Sequence, residues 1–248
     1  MRRFGLIGQT LSHSHSKRLF EERFERESIT DCRYDLFELE SIDLLRDKVL
    51  SIPDLKGFNV TIPYKQQIIP LLDHLSFDAE CVGAVNCVKV LSDGSLSGHN
   101  TDIDGIRASL AELFGTEEQL PKALILGSGG ASQAVQYVLA QMGCEYLIVS
   151  RSPERGNLTY HDISAEIISE YQLIINATPI GTYPNTEQAP ILPYAYVTPS
   201  HTLFDLVYNP AVTQFMDYGM QRGARTLNGE VMLRAQAESA WRIWNEQE

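Results

Sequence analysis

The chain has 248 residues, 44% of them hydrophobic and 21% charged, an ordinary balance for a globular protein. Its 32 acidic and 20 basic residues give a formal net charge of −12. This charge argues against nucleic-acid binding, which needs many lysine and arginine contacts to phosphate, but a helix N-terminus can still hold a small anion. No segment approaches the ~20 apolar residues of a membrane span, and MRRFGLIGQT lacks the apolar stretch of a signal peptide, so we expect a cytoplasmic protein.

The cysteines and histidines show no pattern typical of a metal site. The four cysteines are Cys32, Cys81, Cys87 and Cys144. No two of them have Cys-x-x-Cys spacing, so we expect free thiols in a reducing compartment. His13 and His15 lie close together, but no third ligand is near them in sequence, and we expect no metal.

Strands and helices are predicted to alternate through the first hundred residues. Short strands are expected at 4–8, 33–38 and 56–62. Helices are expected from about Ser16 to Glu27, at 41–50, and from Pro63 to about Leu72. Proline favours the first position of a helix because its missing N–H would be unpaired there anyway.

A second series of elements begins after a break near residues 115–121. Its strands are expected at 122–126, 145–150, 171–177 and 202–207, with helices after the glycine-rich segment 127–132 and at about 230–246. Strands that alternate with helices predict an α/β fold with largely parallel sheets. We expect two α/β domains joined near residue 102.

The glycine-rich segment Gly127-Ser-Gly-Gly-Ala-Ser132 follows an apolar strand and opens a helix, which is the context of a dinucleotide-binding motif. Gly127 permits a tight turn and Gly129 lets a pyrophosphate approach the backbone, while Gly130, Ala131 and Ser132 allow close packing of helix on strand. The helix N-terminus offers free N–H groups to phosphate. The third position of the motif is Ser rather than Gly, and the alternative is an ordinary glycine-rich turn.

The next strand ends in Ser150-Arg151-Ser152-Pro-Glu-Arg155, with no acidic residue at its tip. Sites specific for NAD place Asp or Glu there to bind the ribose 2′-hydroxyl. Guanidinium groups and hydroxyls suit a 2′-phosphate, so this segment favours NADP over NAD. The alternative is a solvated surface loop.

A polar cluster is also predicted in Asn59-Val-Thr61-Ile-Pro63-Tyr-Lys65, where the third strand runs into a helix. Asn59 and Thr61 alternate with apolar residues and therefore face one side of the strand. Lys65 would fall in the first helical turn, where the helix dipole disfavours a cation. Such exceptions are typical of functional sites and suit Lys65 to proton transfer, although an exposed lysine is the alternative.

Other polar residues stand beside predicted helices and strands. Asp102, in Asn100-Thr-Asp102-Ile-Asp-Gly, precedes a helical stretch and could be an N-cap. Ser14 and Ser16 could also cap a helix, or could hold a carboxylate together with helix N–H groups. Asn86 is otherwise a polar residue at the start of a strand.

Taken in order, these segments resemble the shikimate dehydrogenase family over essentially the whole chain. The matching motifs are Ser14 to Ser16, Asn59 to Lys65, Gly83 to Asn86, Asn100 to Asp102 with Gly105, Gly127 to Ser132, Ser150 to Ser152 with Arg155, Asn176 to Thr178 with Gly181, Asp205 to Pro210, and Met232-Leu233 with Gln236-Ala237. So many motifs in the right order and spacing are not expected by accident. The resemblance implies an α/β fold with an N-terminal open twisted α/β substrate domain, a Rossmann-like NADP-binding domain, and an active site in the cleft between them.

The resemblance also implies the reaction, which is NADPH-dependent reduction of 3-dehydroshikimate to shikimate in the chorismate pathway to aromatic amino acids. The substrate-binding and catalytic domain would be residues 1–102 with the C-terminal helix at about 230–248, and the NADP-binding domain would be residues 103–229. Lys65 and Asp102 would be the catalytic pair. The substrate contacts would be Ser14 and Ser16 for the carboxylate, and Asn59, Thr61, Asn86, Tyr208 and Gln236 for the rest. The cofactor contacts would be Gly127, Gly129, Gly130, Ala131, Ser132, Ser150, Arg151, Ser152, Arg155, Thr178, Val207 and Gly229.

The chain departs from the family pattern at a few positions. Val231 stands where the family often has glycine, near the nicotinamide, and Ser150 and Ser152 replace the Asn and Thr of the NADP motif. Three alternatives stay open: a quinate/shikimate dehydrogenase with relaxed substrate or cofactor use, a non-catalytic NADP-binding sensor, and a folate-type dehydrogenase/cyclohydrolase. Lys65 with Asp102 favours an enzyme over a sensor. The expected partners are a small-molecule substrate and NADP, without nucleic acid or membrane, in a monomer or homodimer.

Overall fold

The structure is a computed structural model that describes residues 1–12, 14–115 and 119–247. The chain divides into two compact units, Met1–Asp102 with Arg234–Glu248 and Ile103–Leu233. Within the described ranges, no helix is long and apolar enough to cross a membrane. Each unit contains its own sheet flanked by helices, which confirms the predicted α/β fold class.

Every predicted strand is present, and its ends differ from the prediction by no more than two residues. The strands are β1 (Arg2–Gly8), β2 (Cys32–Glu38), β3 (Leu55–Val60), β4 (His74–Leu75), β5 (Cys87–Val90), β6 (Leu96–His99), β7 (Ala123–Leu126), β8 (Tyr146–Val149), β9 (Leu173–Asn176), β10 (Thr202–Asp205) and β11 (Arg225–Leu227). The α-helices are α1 (Ser16–Arg26), α2 (Phe77–Val82), α3 (Asp102–Phe114), α4 (Gly130–Gln141), α5 (Ala165–Glu170), α6 (Gln214–Gln221) and α7 (Glu230–Asn245).

The first unit is built on a mixed sheet with the strand order β2-β1-β3-β5-β6-β4. β1 runs parallel to both β2 and β3, whereas β5 runs antiparallel to β3 and β6. The chain therefore reverses its direction across the sheet between β1 and β3. Loops that leave the carboxyl ends of two such strands diverge and create a crevice in which ligands of open α/β sheets bind.

An aromatic cluster attaches the end of α7 to the first sheet. Trp244 stacks on Phe4 with ring centroids 4.9 Å apart, and Phe20 stacks on Tyr34 at 4.4 Å. The Trp244 indole N–H donates to the Val88 carbonyl on β5 over 3.0 Å, so the buried polar end of the ring is satisfied. This packing holds the second half of α7 on the first unit.

The second unit has a wholly parallel sheet with the strand order β11-β10-β9-β7-β8. β7 and β9 are fully buried, as expected for strands covered by helices on both faces. The order is that of a doubly wound fold in which the chain reverses between β7 and β9. The carboxyl ends of these two strands therefore mark the expected ligand site of this unit.

The helix predicted at 41–50 is present but is not a regular α-helix. Residues 41–50 form a short 3₁₀ helix (Ile42–Leu44) followed by a five-residue π-helix (Arg46–Leu50). Ile42, Leu45 and Val49 are buried as a helical pattern predicts, but packing on the sheet overrides regular α-helical hydrogen bonding.

The helix predicted from Pro63 is replaced by consecutive turns that lead to a 3₁₀ helix at Ile69–Leu71. The Lys65 carbonyl would accept from the N–H of residue 69 in a helix, but it accepts from the Val85 N–H (2.7 Å). Pro70 has no N–H to continue a helical ladder. Lys65 is therefore not in a helical first turn, and the dipole argument made for it from the sequence was wrong.

Candidate active site

Two polar loops leave the adjacent carboxyl ends of β1 and β3 in the first unit. The loop after β1 contains Ser14 and leads to Ser16 at the start of α1, and the turn after β3 contains Thr61 and Lys65. The Thr61 N–H donates to the Ile7 carbonyl over 2.9 Å, so this turn begins against β1. The predicted polar residues thus gather at the edge of the sheet where the fold places a ligand.

Lys65 and Asp102 form a buried ion pair at this edge. The Lys65 Nζ lies 2.7 Å from Asp102 Oδ2, and the two side chains are 16% and 1% exposed. Tyr64, which is buried in the core, anchors the turn that presents Lys65, while Asp102 is the first residue of α3. An ammonium group has three N–H donors, so Lys65 can bind Asp102 and a further oxygen at the same time. A pair of this kind can hold and transfer a proton.

Asn86 fixes the other oxygen of the Asp102 carboxylate. Its amide nitrogen donates to Asp102 Oδ1 over 2.9 Å and to Gln236 Oε1 on α7 over 3.2 Å. Its amide oxygen accepts from both the N–H and the hydroxyl of Thr101, at 2.7 and 3.2 Å. Both carboxylate oxygens of Asp102 therefore have a donor, and a buried charge needs such bonds to offset its desolvation.

Asn100 and Thr101 are site residues to which the sequence analysis assigned no role. Asn100 Oδ1 accepts from the Asp102 N–H over 3.1 Å, and its amide nitrogen donates to the Ala84 carbonyl over 2.8 Å. These bonds attach the start of α3 to the segment before β5. The Asn-x-Asp spacing was a signal for the first bond, because asparagine commonly accepts from the N–H two residues later.

Six substrate residues were predicted from the first unit. One of them, Thr61, lies in the turn after β3, and the other five form two groups. Asn59, Asn86 and Gln236 join the Lys65–Asp102 cluster; the Asn59 amide accepts from the Tyr34 hydroxyl (2.9 Å) and donates to the Asn86 carbonyl (3.2 Å). Ser14 and Ser16 stand together at the start of α1, where Ser14 Oγ accepts from the Ser16 N–H over 3.2 Å. The first turn of α1 contains no acidic residue, which leaves its N-terminus suited to an anion.

The prediction of no metal site named His13 and His15, of which His13 lies outside the described residues. In the described part of the chain, no group of three or more His, Cys, Asp and Glu residues is placed to hold a metal ion.

The glycine-rich turn of the second unit lies at the carboxyl end of β7. Gly127 has a φ of +106°, and a Cβ there would lie 2.9 Å from Thr178 at the end of β9, so the turn requires glycine. A Cβ on Gly129 would meet nothing within 4 Å, which leaves the backbone open to an approaching group. Gly130 and Ala131 begin α4, while the buried Ser132 hydroxyl donates to the Gly127 carbonyl over 2.7 Å and braces the turn.

The tip of β8 presents hydroxyls and two exposed arginines. Ser150 Oγ accepts from the Ser152 N–H over 3.2 Å and lies 3.1 Å from the Ser128 hydroxyl, a contact that the sequence analysis missed. Ser128 occupies a variable position of the glycine motif, so only its spacing could have pointed to it. Arg151 and Arg155 form no ion pair within residues 1–12, 14–115 and 119–247, and both guanidinium groups can meet an anion.

The remaining predicted cofactor residues lie at the ends of β9 and β10 in the same unit. Thr178 follows β9, and Val207 follows β10. Gly229 lies against this segment, because its N–H donates to the Val207 carbonyl over 3.0 Å and a Cβ there would clash with the Leu206 carbonyl. Tyr208 also belongs to this unit. The turn at Gly127 and these residues fit a dinucleotide, because they provide a glycine backbone, a free helix N-terminus and hydroxyls without an acidic side chain at the β8 tip.

Comparison with known proteins identifies the family of the chain. The family model of the shikimate dehydrogenase substrate binding domain matches residues 6–88. A shikimate dehydrogenase (NADP(+)) of Methanococcus maripaludis is 35% identical over 256 residues, which cover 97% of this chain and 90% of that protein. The chain belongs to the shikimate dehydrogenase family.

Solved structures of this family share the fold of the whole chain. The crystal structure of the shikimate 5-dehydrogenase of Thermus thermophilus, in complex with NADP(H) and shikimate, is 29% identical with a TM-score of 0.86, and covers 99% of this chain and 94% of that chain. A quinate dehydrogenase of Corynebacterium glutamicum in complex with NAD is 26% identical with a TM-score of 0.87, and covers 100% of this chain and 94% of that chain. The shikimate dehydrogenase fold therefore does not by itself distinguish the two substrates or the two cofactors.

Proposed function

We propose that this chain reduces 3-dehydroshikimate to shikimate with NADPH, in the pathway to chorismate and the aromatic amino acids. Membership of the shikimate dehydrogenase family over 97% of the chain supports the reaction. The observation that carries the proposal is the Lys65–Asp102 ion pair. Its Nζ and Oδ2 atoms lie 2.7 Å apart, and Asn86 holds the other carboxylate oxygen. A non-catalytic sensor would need the glycine turn but not this pair.

Lys65 is the residue that handles the proton. NADPH, when bound, would supply the hydride that the ketone carbon of the substrate accepts, and negative charge would grow on the ketone oxygen. A Lys65 N–H directed at that oxygen stabilises the charge and donates a proton to it. Asp102 holds the ammonium group by one oxygen, while the other oxygen stays bonded to Asn86. In the reverse direction, the same lysine accepts the hydroxyl proton.

The substrate carboxylate is assigned to Ser14 and Ser16, whose hydroxyls stand at the N-terminus of α1 beside the first N–H groups of the helix. We assign the ring hydroxyls to the other predicted residues, which are Asn59, Thr61, Asn86, Tyr208 and Gln236. Asn86 and Gln236 bond to each other over 3.2 Å. A ring hydroxyl placed between them can both accept from Asn86 and donate to Gln236, so it can replace that bond without loss.

NADP is assigned to the carboxyl edge of the second sheet. The pyrophosphate would meet the turn from Gly127 to Ser132 and the start of α4, and the 2′-phosphate would meet Ser150, Arg151, Ser152 and Arg155. Thr178, Val207 and Gly229 would line the part of the site beyond the reversal between β7 and β9. Two guanidinium groups at the β8 tip favour NADP over NAD because they can pair with a phosphate.

A quinate/shikimate dehydrogenase is the second candidate, because a quinate dehydrogenase with NAD matches the whole chain in fold. We also infer a cytoplasmic enzyme, since all four cysteines are free thiols, and a monomer or homodimer. Residues 1–102 with the C-terminal helix from about 230 are assigned to substrate and catalysis, and residues 103–229 to NADP.

A spectrophotometric assay tests the proposed function. Purified protein is mixed with shikimate or quinate, each with NADP or NAD, and reduced nicotinamide is followed by its absorbance. Turnover confined to shikimate with NADP is the expected result. Turnover on quinate or with NAD would favour the second candidate, and no turnover in a protein that binds NADPH would favour the sensor.

A further inference from the structure

A buried carboxylate lies at the carboxyl end of β10, outside the groups that the proposed reaction uses. Asp205 is 0% exposed. Its Oδ1 accepts from the Asn176 amide (2.9 Å) and the Val207 N–H (3.0 Å), and its Oδ2 accepts from the Thr213 hydroxyl (2.6 Å). No ion pair involves Asp205 in the part of the chain that the structure describes, so these three donors are what holds its charge.

Asp205 joins the ends of two strands through Asn176. Asn176 is the last residue of β9, and its amide oxygen accepts from the N–H and the hydroxyl of Thr178, at 3.1 and 2.6 Å. The Thr178 hydroxyl in turn accepts from the Ile180 N–H over 3.2 Å. One carboxylate therefore fixes the segment after β9 through Asn176 and the segment after β10 through Val207.

The location of this hydrogen-bond network favours a functional role, because it lies beside the turn assigned to the pyrophosphate. Thr178 lies where a Cβ on Gly127 would touch it at 2.9 Å, so the network borders the turn assigned to the pyrophosphate. In a doubly wound sheet, the two halves of a dinucleotide lie on opposite sides of the strand reversal. The arginines at the tip of β8 are on the adenosine side, and β9 and β10 are therefore on the nicotinamide side.

The opposite end of β10 provides a matched buried group. His201 is 2% exposed and precedes the first residue of β10. Its Nδ1 accepts from the Thr198 N–H (3.0 Å), and its Nε2 lies 2.8 Å from the Ile168 carbonyl. Both residues thus join neighbouring segments by buried hydrogen bonds, but only Asp205 is at the carboxyl edge.

We propose that Asp205 is a positioning residue for the cofactor, which holds Thr178 and the Val207 backbone in the arrangement that binds the nicotinamide half of NADP. This inference rests on the proposed function for the assignment of NADP to the second unit. It adds a residue that touches no reacting atom and acts through Asn176 and the Val207 N–H.

The test compares Asp205→Ala, Asp205→Asn and His201→Ala with the unchanged chain. Affinities for NADPH and for adenosine 2′,5′-bisphosphate, which contains only the adenosine half, are measured by calorimetry, and thermal unfolding is followed in parallel. Asp205→Ala leaves three donors unpaired and is expected to weaken NADPH binding by at least ~10-fold. Its affinity for the bisphosphate should stay within ~2-fold, because that fragment does not reach the segments after β9 and β10.

The other two variants separate positioning from general stability. Asp205→Asn keeps one acceptor oxygen for Asn176 and Val207, so it should restore NADPH affinity to within ~3-fold of the unchanged chain. His201→Ala should lower the unfolding temperature but leave both affinities unchanged. An unchanged NADPH affinity in folded Asp205→Ala would overturn the inference, and so would an equal loss in His201→Ala.

A final comparison covers the case in which Asp205→Ala does not fold. Thr213→Val removes one of the three donors and should weaken NADPH binding by ~3-fold, again without effect on the bisphosphate. No change in that folded variant would reject the role of Asp205. If the unchanged chain binds neither NADPH nor the bisphosphate, the assignment of NADP fails, which is distinct from a failure of the positioning role.

Discussion

Each unit of the molecule places a buried carboxylate at the carboxyl edge of its sheet, but the two carboxylates have different partners. Asp102 is 1% exposed and pairs with the Lys65 ammonium at 2.7 Å. Asp205 is 0% exposed and is held by an amide, a backbone N–H and a hydroxyl, without an ion pair in the described ranges. A carboxylate with a cation beside it can take part in proton transfer, whereas one with only neutral donors is suited to fixing loops.

The largest expected effect comes from removing the Lys65 ammonium group, which is the cation that pairs with Asp102. Lys65→Ala should lower kcat by ~10²–10⁴-fold, the usual contribution of a general acid–base group, and should leave NADPH affinity unchanged. Lys89→Ala is a matched control, because Lys89 is a buried lysine of the same unit whose Nζ donates to the Glu246 carbonyl over 2.6 Å. It should change stability and leave kcat unaltered. Near-normal turnover in Lys65→Ala would exclude this lysine from the mechanism.

The second-largest expected effect is on the pH dependence of stability. It comes from Asp205, the buried carboxylate that has no cation beside it in the described ranges. Burial raises the pKa of Asp205 from an ordinary 3.8 to about 6, and the hydrogen bonds from Thr213, Val207 and Asn176 only partly offset it. Among the described residues no charged group contributes to this shift, and a titratable neighbour is the half-buried Tyr194, whose own pKa is raised by burial and by Asp205. The folded state therefore binds the proton more tightly than the unfolded state, and this contribution to stability is lost as the pH rises from about 4 to about 6.

The direction of this pH dependence can be measured by urea unfolding of the unchanged chain and of Asp205→Asn between pH 4 and 7. A shift of about two pKa units corresponds to about 3 kcal/mol, so the difference in unfolding free energy should move by about that amount in favour of the variant as the pH rises. Asp162→Asn is the control, because hydrogen bonds from Thr159 lower the pKa of Asp162 below its ordinary 3.8. The contribution of Asp162 to stability is lost only as the pH falls below that value, so its variant should differ from the unchanged chain by a nearly constant amount between pH 4 and 7. A difference between Asp205→Asn and the unchanged chain that is constant with pH would contradict the comparison.

A third prediction concerns the exposed arginine at the tip of β8. Arg151→Ala removes a charge assigned to the 2′-phosphate, and should lower kcat/KM for NADP by ~10-fold because charge-assisted hydrogen bonds contribute about 1.5–3 kcal/mol and exposure reduces that. kcat/KM for NAD should stay the same. Arg222→Ala changes an exposed arginine beyond the end of α6 and should alter neither value. Equal losses with NADP and NAD would show that Arg151 does not read the phosphate.

The sequence predicted the strands better than it predicted the segments that carry the site. A short and largely apolar run such as 122–126 favours a buried strand, and the structure has β7 within this range, as predicted. The turn that presents Lys65 was predicted as a helix because Pro63 suits the first position of one. A bond from the Val85 N–H to the Lys65 carbonyl decides otherwise, and no local pattern contains a contact across 20 residues.

The same limit applies to the polar networks. Resemblance to the family predicted that Lys65, Asp102 and Asn86 belong to the site, but not how they bond. The hydrogen bond from Asn86 to Gln236, for example, joins residues 150 positions apart. The burial of Asp205 could not be predicted either, because the sequence shows only one acidic residue within the largely apolar predicted strand 202–207. Periodicity reports which face of an element is buried, and it does not report which polar side chains meet at the end of a sheet.

The smallest expected effect tests whether the Lys65–Asp102 pair depends on the hydrogen bonds around it, as Asp205 does. Thr101→Val removes the hydroxyl that donates to Asn86 Oδ1 over 3.2 Å but keeps the Thr101 N–H bond at 2.7 Å and the shape of the side chain. Asn86 would then hold Asp102 less firmly, and kcat should fall by ~2–5-fold, which corresponds to the loss of one neutral hydrogen bond. NADPH affinity should not change. Ser109→Ala, which removes the buried bond from the Ser109 hydroxyl to the Gly105 carbonyl on the same helix, should leave kcat as it is. Equal effects of the two substitutions on kcat would mean that the helix, and not Asn86, sets the position of Asp102.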